Sequence, residues 1–211
     1  MNLAEMRARV RKDLHDEDAN NYRWTDGELD RHIGHAVREL SLSAPLEGKA
    51  TLQTTAGSRE LSLSSLTDLV QIETVEYSVG EYPPRYVRFS LWSDTLTLLV
   101  DGAPGGSEDV CIYYTKLHTL DANGSTIPAP LEDLVTVGAG AYAALEWASY
   151  ATNRVNVGGG ATWKNYLIWG QDRLAAFMRG LARHSRKNSV RVRQLYRPYE
   201  PPASQSTDWG P

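Results

Sequence analysis

The run Gly138-Ala-Gly140-Ala-Tyr-Ala143 fits the Gly-x-Gly-x-x-Gly/Ala pattern, in which bare backbone lets a pyrophosphate settle on the first turn of a helix. That chemistry needs a strand before the glycines and an acidic residue roughly twenty positions later. No Asp or Glu stands there and no βαβ unit surrounds the run, so close packing against a second helix explains the glycines better. From Gly158 to Lys164 the chain has the outline of a phosphate loop, but Trp163 stands where glycine must precede the lysine and no Ser or Thr follows it. Asp16, Asp18 and Asn20 open like a calcium loop, yet Asn21 takes the glycine position and Gly27 that of the bidentate glutamate; a solvated interhelical linker is expected instead. His15, His32, His35, His118, His184 and Cys111 do not gather at ligand spacing. No Gly-x-Ser-x-Gly elbow occurs, and carboxylates such as Glu73 and Glu76 are expected to face solvent from strands. The expectation is a protein that is not an enzyme, with no catalytic, cofactor or metal residues.

The remaining chemistry is concentrated at the C-terminus. Arg179, Arg183, Arg186, Lys187, Arg191, Arg193 and Arg197 follow one another with no Asp or Glu between them. Cations in the last helical turn suit the negative end of the dipole, which covers the first of these but not Arg191, Arg193 and Arg197. Beyond Lys187 apolar residues are few and Pro198, Pro201, Pro202 and Pro211 intervene, a composition that cannot form a core. Tyr196, Tyr199 and Trp209 are spaced along it as buried anchors would be. Arg191, Arg193, Tyr196, Arg197, Tyr199 and Trp209 are therefore the candidate partner-binding residues, the aromatics filling pockets and the arginines pairing with carboxylates. Phosphate is the rival target of those arginines, so a DNA-binding packaging or regulatory protein is the alternative reading; no helix-turn-helix with a basic second helix supports it.

With 211 residues the chain has room for one well-packed core or for one core with an inserted subdomain. A formal charge of -4 implies no polyionic partner for the whole molecule. Cys111 is the only cysteine, so no intrachain disulfide can form and a reducing cytoplasm suits the protein. No segment approaches the roughly 18 apolar residues of a membrane span, and the first residues do not read as a secretion signal. Asn123-Gly124-Ser125 is then a plain turn.

The elements follow from periodicity. Leu3, Met6, Val10 and Leu14 recur at helical spacing. Thr25-Asp-Gly-Glu28 has the form of a capping box, with Trp24 and Leu29 at the two positions of a hydrophobic staple. The helix it opens carries Leu29, Ile33, Ala36, Val37 and Leu40 on one face and should stop near Pro45. From Ala50 to Thr115 apolar residues alternate instead, through Leu61 and Leu63, Ile72 and Val75, Leu96 and Leu98, and Val110 and Ile112, which predicts short strands in an antiparallel meander. After Pro128 and Pro130 a third helix should run to about Thr152, with Leu134, Gly138, Ala141, Leu145 and Ala148 as a narrow seam. A fourth repeats Trp163, Leu167, Gly170, Leu174, Phe177 and Leu181 in steps of four and three and should pack antiparallel to it. The fold class is α+β, an antiparallel bundle of about four helices with an inserted antiparallel β subdomain and an extended C-terminal arm. Residues 1–48 form the helical hairpin, 49–127 the insert, 128–187 the two long helices and 188–211 the arm.

This order of parts resembles the head-to-tail adaptor (connector, head-completion) proteins of tailed bacteriophages. The resemblance is carried by Leu3-Ala-Glu-Met-Arg-Ala-Arg-Val10 leading to Arg23-Trp-Thr-Asp-Gly-Glu-Leu29, and by Ile112-Tyr-Tyr-Thr-Lys-Leu-His-Thr-Leu120 with Ser125-Thr-Ile-Pro128 closing the insert. The third element is the small-residue helix Gly138-Ala-Gly-Ala-Tyr-Ala-Ala-Leu-Glu-Trp147. It implies a structural virion protein without catalytic residues, assembled in the host cytoplasm. Such a protein sits in the neck as a ring, usually of twelve copies, under the portal protein, and presents a surface to the tail or the next neck protein. Genomic DNA in the channel is a further possible contact and no membrane is implied. The long β insert departs from the smaller members of the family.

Overall fold

A computed structural model describes residues 1–151 and 162–185 of the chain. Helix α1 (Leu3–Asp13) opens on a capping box in which Asn2 Oδ1 accepts from the Glu5 amide at 2.9 Å and Glu5 Oε2 accepts from the Asn2 amide at 2.9 Å. It closes in a Schellman turn: the Asp16 amide donates to the Arg11 carbonyl and that of His15 to Lys12, with His15 at φ 53° where glycine is commonest. Helix α2 (Asp26–Ser43) has the cap its sequence announces. Glu28 N–H donates to Thr25 Oγ1 and Thr25 N–H to Glu28 Oε2, while Trp24 and Leu29 are both buried. It stops two residues before Pro45.

Between α2 and the third helix lie seven strands: β1 (Leu46–Gln53), β2 (Glu60–Ser62), β3 (Leu69–Glu76), β4 (Tyr86–Val87), β5 (Phe89–Trp92), β6 (Thr95–Leu98) and β7 (Asp109–Lys116). All pairings are antiparallel, as expected, but the insert is not a meander. It is two sheets, β1-β7-β3-β4 and β2-β6-β5, and β7 returns to lie between β1 and β3. A meander would leave Ile72, Val75, Val110 and Ile112 on one sheet with nothing to face. In the two-sheet arrangement they pack with Leu61, Leu63, Leu96 and Leu98 into a core of their own. Glu76, expected to face solvent, is buried and accepts a hydrogen bond from the Tyr113 hydroxyl at 2.8 Å on the neighbouring strand. Glu73 is half-buried.

Helices α3 (Ala129–Ala151) and α4 (Thr162–His184) pack antiparallel along the predicted seam. A Cβ built on Gly138 would stand 2.9 Å from the Phe177 ring, one on Gly170 2.9 Å from Leu145, and one on Gly180 2.4 Å from Leu134. Small residues are what brings the two backbones together. α3 is buried round most of its circumference, by α1, α2 and α4, as a helix apolar on most of its sides must be. On α4 only Gly170, Phe177 and Leu181 are fully buried. Leu167 and Leu174, expected to be buried, are half-exposed because α4 leans mainly on α3.

Two cores thus exist, one in the bundle and one in the insert. Their junction is polar. His118, just past β7, donates its backbone N–H to Ser41 Oγ at 3.0 Å, and its ring nitrogens lie 3.0 Å from the Thr126 and Ala44 carbonyl oxygens.

Phe177→Ala should cost roughly 3 to 5 kcal/mol through the cavity it leaves. Gly138→Ala should cost roughly 1 to 3 kcal/mol by overpacking against the same ring, outweighing the helix propensity that alanine adds. Urea unfolding of both variants checks this; a Gly138→Ala protein at least as stable as the parent would mean that the helices can move apart freely.

Candidate interaction site

At the end of the bundle away from the insert, one buried arginine organises the link between α1 and α2. Arg11 Nη1 donates to Asp16 Oδ2 at 2.6 Å, and Nη2 to the Trp24 carbonyl at 2.9 Å and to Asp26 Oδ1 at 2.8 Å. The Tyr22 ring stacks 3.6 Å from the guanidinium. Asp16 also accepts from the Arg23 amide at 2.7 Å. The expected solvated linker is therefore corrected at Asp16, which is buried: a charge removed from water needs partners, and Arg11 with the backbone amides supplies them. Arg23, next in line, lies 5.0 Å from the Trp147 ring, 5.1 Å from Tyr166 and 5.7 Å from Trp24. These cation–π contacts tie the linker to α3 and α4. Sequence spacing did not signal the network, since its members come from three elements.

Beside it, Glu146 of α3 receives Arg31 Nη2 at 2.5 and 2.6 Å, and this bond holds the carboxyl below its ordinary pKa. His32 Nε2 lies 2.6 Å from Glu146 Oε2, but off the line a hydrogen bond requires. Burial depresses the His32 pKa below its usual 6.5 and outweighs the nearby carboxylate, which pulls the other way. Asp26 is lowered by its bond from Arg11, and Glu28 by the Thr25 amide.

Along the edge of α2, between the start of α1 and residues 118–120, runs a groove of about 260 Å³ near the junction with the insert. Leu3, Ile33, Val37 and Leu120 make its walls, Asp30 its rim, and Gly34 opens it because a Cβ there would meet nothing within 4 Å. Elsewhere large apolar side chains stand in solvent. Trp92 at the β5–β6 hairpin is 87% exposed and Leu91 beside it 45%, while α4 shows Ile168 and Met178. Trp92 and Leu91 adjoin, while Ile168 and Met178 stand apart from one another.

Gly138, Gly140 and Ala143 lie inside α3 among packed side chains, so the pyrophosphate geometry is not there. Among the described residues, no three His, Cys, Asp or Glu side chains come together where they could hold a metal ion, and no helix is long and apolar enough to cross a membrane. Arg191, Arg193, Tyr196, Arg197, Tyr199 and Trp209 lie outside the described residues.

Compared with known proteins, residues 1–194 match the model of the SU10 adaptor protein family. That match takes in both helical pairs, the insert, Arg191 and Arg193. Among solved structures, a chain in the neck of an empty GTA particle, computed with C6 symmetry, is similar at 14% identity and a TM-score of 0.29, covering 80% of this chain and 88% of that one. No curated protein matches.

Arg11→Met leaves Asp16 buried without its cation and should cost roughly 3 to 5 kcal/mol in urea unfolding; a loss under about 1 kcal/mol would show that water replaces the guanidinium. A folded-state pKa depressed at His32 means that the stability this group contributes is complete above its usual 6.5 and is lost as pH falls from there toward the depressed value. The urea midpoint should therefore drop as pH falls below about 6.5, and His32→Gln should flatten that drop. Asp26, Glu28 and Glu146 act in a more acid window, since their stabilisation is complete above the ordinary carboxylate pKa and is lost as pH falls from there through the lowered values.

Proposed function

The chain belongs to the SU10 adaptor protein family, a head-to-tail adaptor of the phage neck with a structural role, and from this we propose that it works as a ring of about twelve copies under the portal protein. The carrying observation is a family match that runs from the first residue through the bundle and the insert and into the arm. In this reading the molecule links the capsid vertex to the tail or the next neck protein and catalyses nothing. Assembly takes place in the bacterial cytoplasm.

The parts divide the work. The long seam between α3 and α4 is satisfied within each subunit, so subunit contacts come from the outer faces and the insert. The exposed Trp92 and Leu91 give the insert an apolar tip suited to a neighbouring protein. The arm supplies reach: Tyr196, Tyr199 and Trp209 anchor it, and Arg191, Arg193 and Arg197 pair with carboxylates of the portal or of the next subunit.

Assembly on a template depends on concentration and partner. The full-length protein should be mostly monomeric alone and form a ring when purified portal is added, as native mass measurement would show; a compact dimer in both conditions would overturn the reading. Deleting residues 188–211 should abolish the ring on portal and leave weak duplex DNA binding unchanged. Retained portal attachment with DNA binding lost would instead make the arm a phosphate-binding segment, with the steep salt dependence that entails.

A further inference from the structure

We propose that residues 189–193 lie, in the free subunit, across the outer face of the subunit's own β1-β7-β3-β4 sheet and so hold the root of the arm against the insert. The contact belongs to the free subunit, before Arg191 and Arg193 meet a partner, and it stands apart from ring formation. Three observations carry it.

The first is burial on a face that should be open. Alternation along β7 turns Val110, Ile112 and Tyr114 toward the second sheet, where they join the core of the insert. Cys111, Tyr113 and Thr115 therefore stand on the opposite side, with Thr51 and Glu76 in register on either flank of Cys111. An antiparallel sheet with one face on a core commonly leaves the other to water. At its margin this sheet does so, since Glu47, Lys49, Thr51 and Gln53 of β1 are exposed. In the middle it does not. Cys111 is 0% exposed, Thr115 1% and Glu76 6%, yet Cys111 belongs to neither core and no described helix or strand packs on that side.

The second is topology, which leaves one segment to supply the cover. Outside the described residues lie 152–161 and 186–211. Residues 152–161 join α3 to α4 at the bundle end away from the insert. The end of α4 is at the insert: Gly180 faces Leu134 near the start of α3, Leu181 shares a core with Ile127 and Leu131, and the Thr126 carbonyl meets the ring of His118 just past β7. Residue 185 thus leaves the bundle beside the base of the sheet, where Thr115 is the first residue of its outer face on β7. From Thr115 to Cys111 is about 13 Å of strand, and five extended residues cover about 17 Å.

The third is chemical fit. Ser189-Val-Arg-Val-Arg193 alternates β-branched and cationic side chains, as an extended segment lying on a surface does. Val190 and Val192 suit the small, uncharged middle of the face at Cys111 and Thr115. Arg191 and Arg193 suit its acidic margins, where Glu47 on β1 and Glu73 on β3 lie to either side of β7. Residues 46–127 hold eleven Asp and Glu against five Lys and Arg, a formal -6, whereas residues 186–197 hold five Lys and Arg and no acid. A tether this short gives the subunit's own face an effective concentration that another molecule does not match at ordinary dilution.

The test uses the thiol of Cys111, the one cysteine in the chain, as a reporter of the cover. Under native conditions a maleimide should label the full chain slowly and a chain lacking residues 188–211 at least about tenfold faster. A truncated chain that had lost its fold would also label fast, so full-length Val190→Asp/Arg191→Glu/Arg193→Glu is labelled beside it; it should melt with the parent and label at least about tenfold faster too. Labelling of that variant at the parent's rate would overturn the proposal, whatever the truncation does. The parent's rate should not change over a roughly hundredfold range of protein concentration. Protection that grows with concentration would put a neighbour's arm on the face and would overturn it as well.

Discussion

The close approach of α3 and α4 is the constraint from which the rest of the structure follows. It exists because Gly138, Gly170 and Gly180 present no Cβ to Phe177, Leu145 and Leu134. Two backbones this near bury most of the surface of α3, and α1 and α2 cover what α4 leaves. α3 thereby keeps only its ends exposed, at Ala129, Pro130 and Asp133 and at Glu146, Ser149 and Tyr150. Dispersion between so many close atoms is individually small and collectively decisive, and it is satisfied within one chain. Contacts between copies and with partners must come from elements at the periphery: the outer face of α2, the solvent side of α4, the insert and the arm.

The periphery is held by polar devices where the core is held by apolar ones. At one end of the bundle Arg11 gathers Asp16, Asp26 and the Trp24 carbonyl, while Arg23 bridges to Trp147 and Tyr166. At the other, His118 and Ser41 join insert to bundle. Hydrogen bonds fix direction more narrowly than apolar contacts do, because they fail within a few tenths of an ångström or some tens of degrees. A bundle and a sandwich with separate cores would otherwise rotate about the short connections at residues 44–46 and 117–128. The polar junction fixes the direction of the insert relative to the helices.

Local chemistry made much of this legible in the sequence. The capping box at Thr25, the staple of Trp24 and Leu29, the stop before Pro45 and the seam steps of four and three are all determined within one turn or one helix, and each is found. Non-local chemistry was not legible. That β7 lies between β1 and β3 depends on which strands find a facing sheet, and alternation says only which residues point inward. β1 alternates half-buried and exposed residues with no fully buried side chain, and Gly48 and Ala50 on its inner side give that alternation too little apolar signal to be picked out. Asp16 read as solvated because its neighbours are polar; its partner Arg11 lies five residues earlier on a helix whose other buried residues are Met6 and Val10. Glu76 read as solvated because strand alternation is silent about a tyrosine on the next strand. The groove had no sequence signal except Gly34, a glycine inside a helix that no turn or cap explains.

A molecule whose function is contact places its polar chemistry differently from an enzyme. Enzymes hold charged groups unpaired or mispaired so that their pKa values approach the pH at which they act. Here the resolved shifts run the other way for the acids and bases that meet: Arg7 and Arg31 are raised and Asp26, Glu28, Glu108 and Glu146 lowered, each by a hydrogen-bonding partner. Such shifts deepen the charged state. His32 and Tyr142 shift instead toward their neutral forms, and the cause in both is burial. His32 Nε2 is close to Glu146 without a bond to it, and a proton on that ring would sit in a site built for the neutral form.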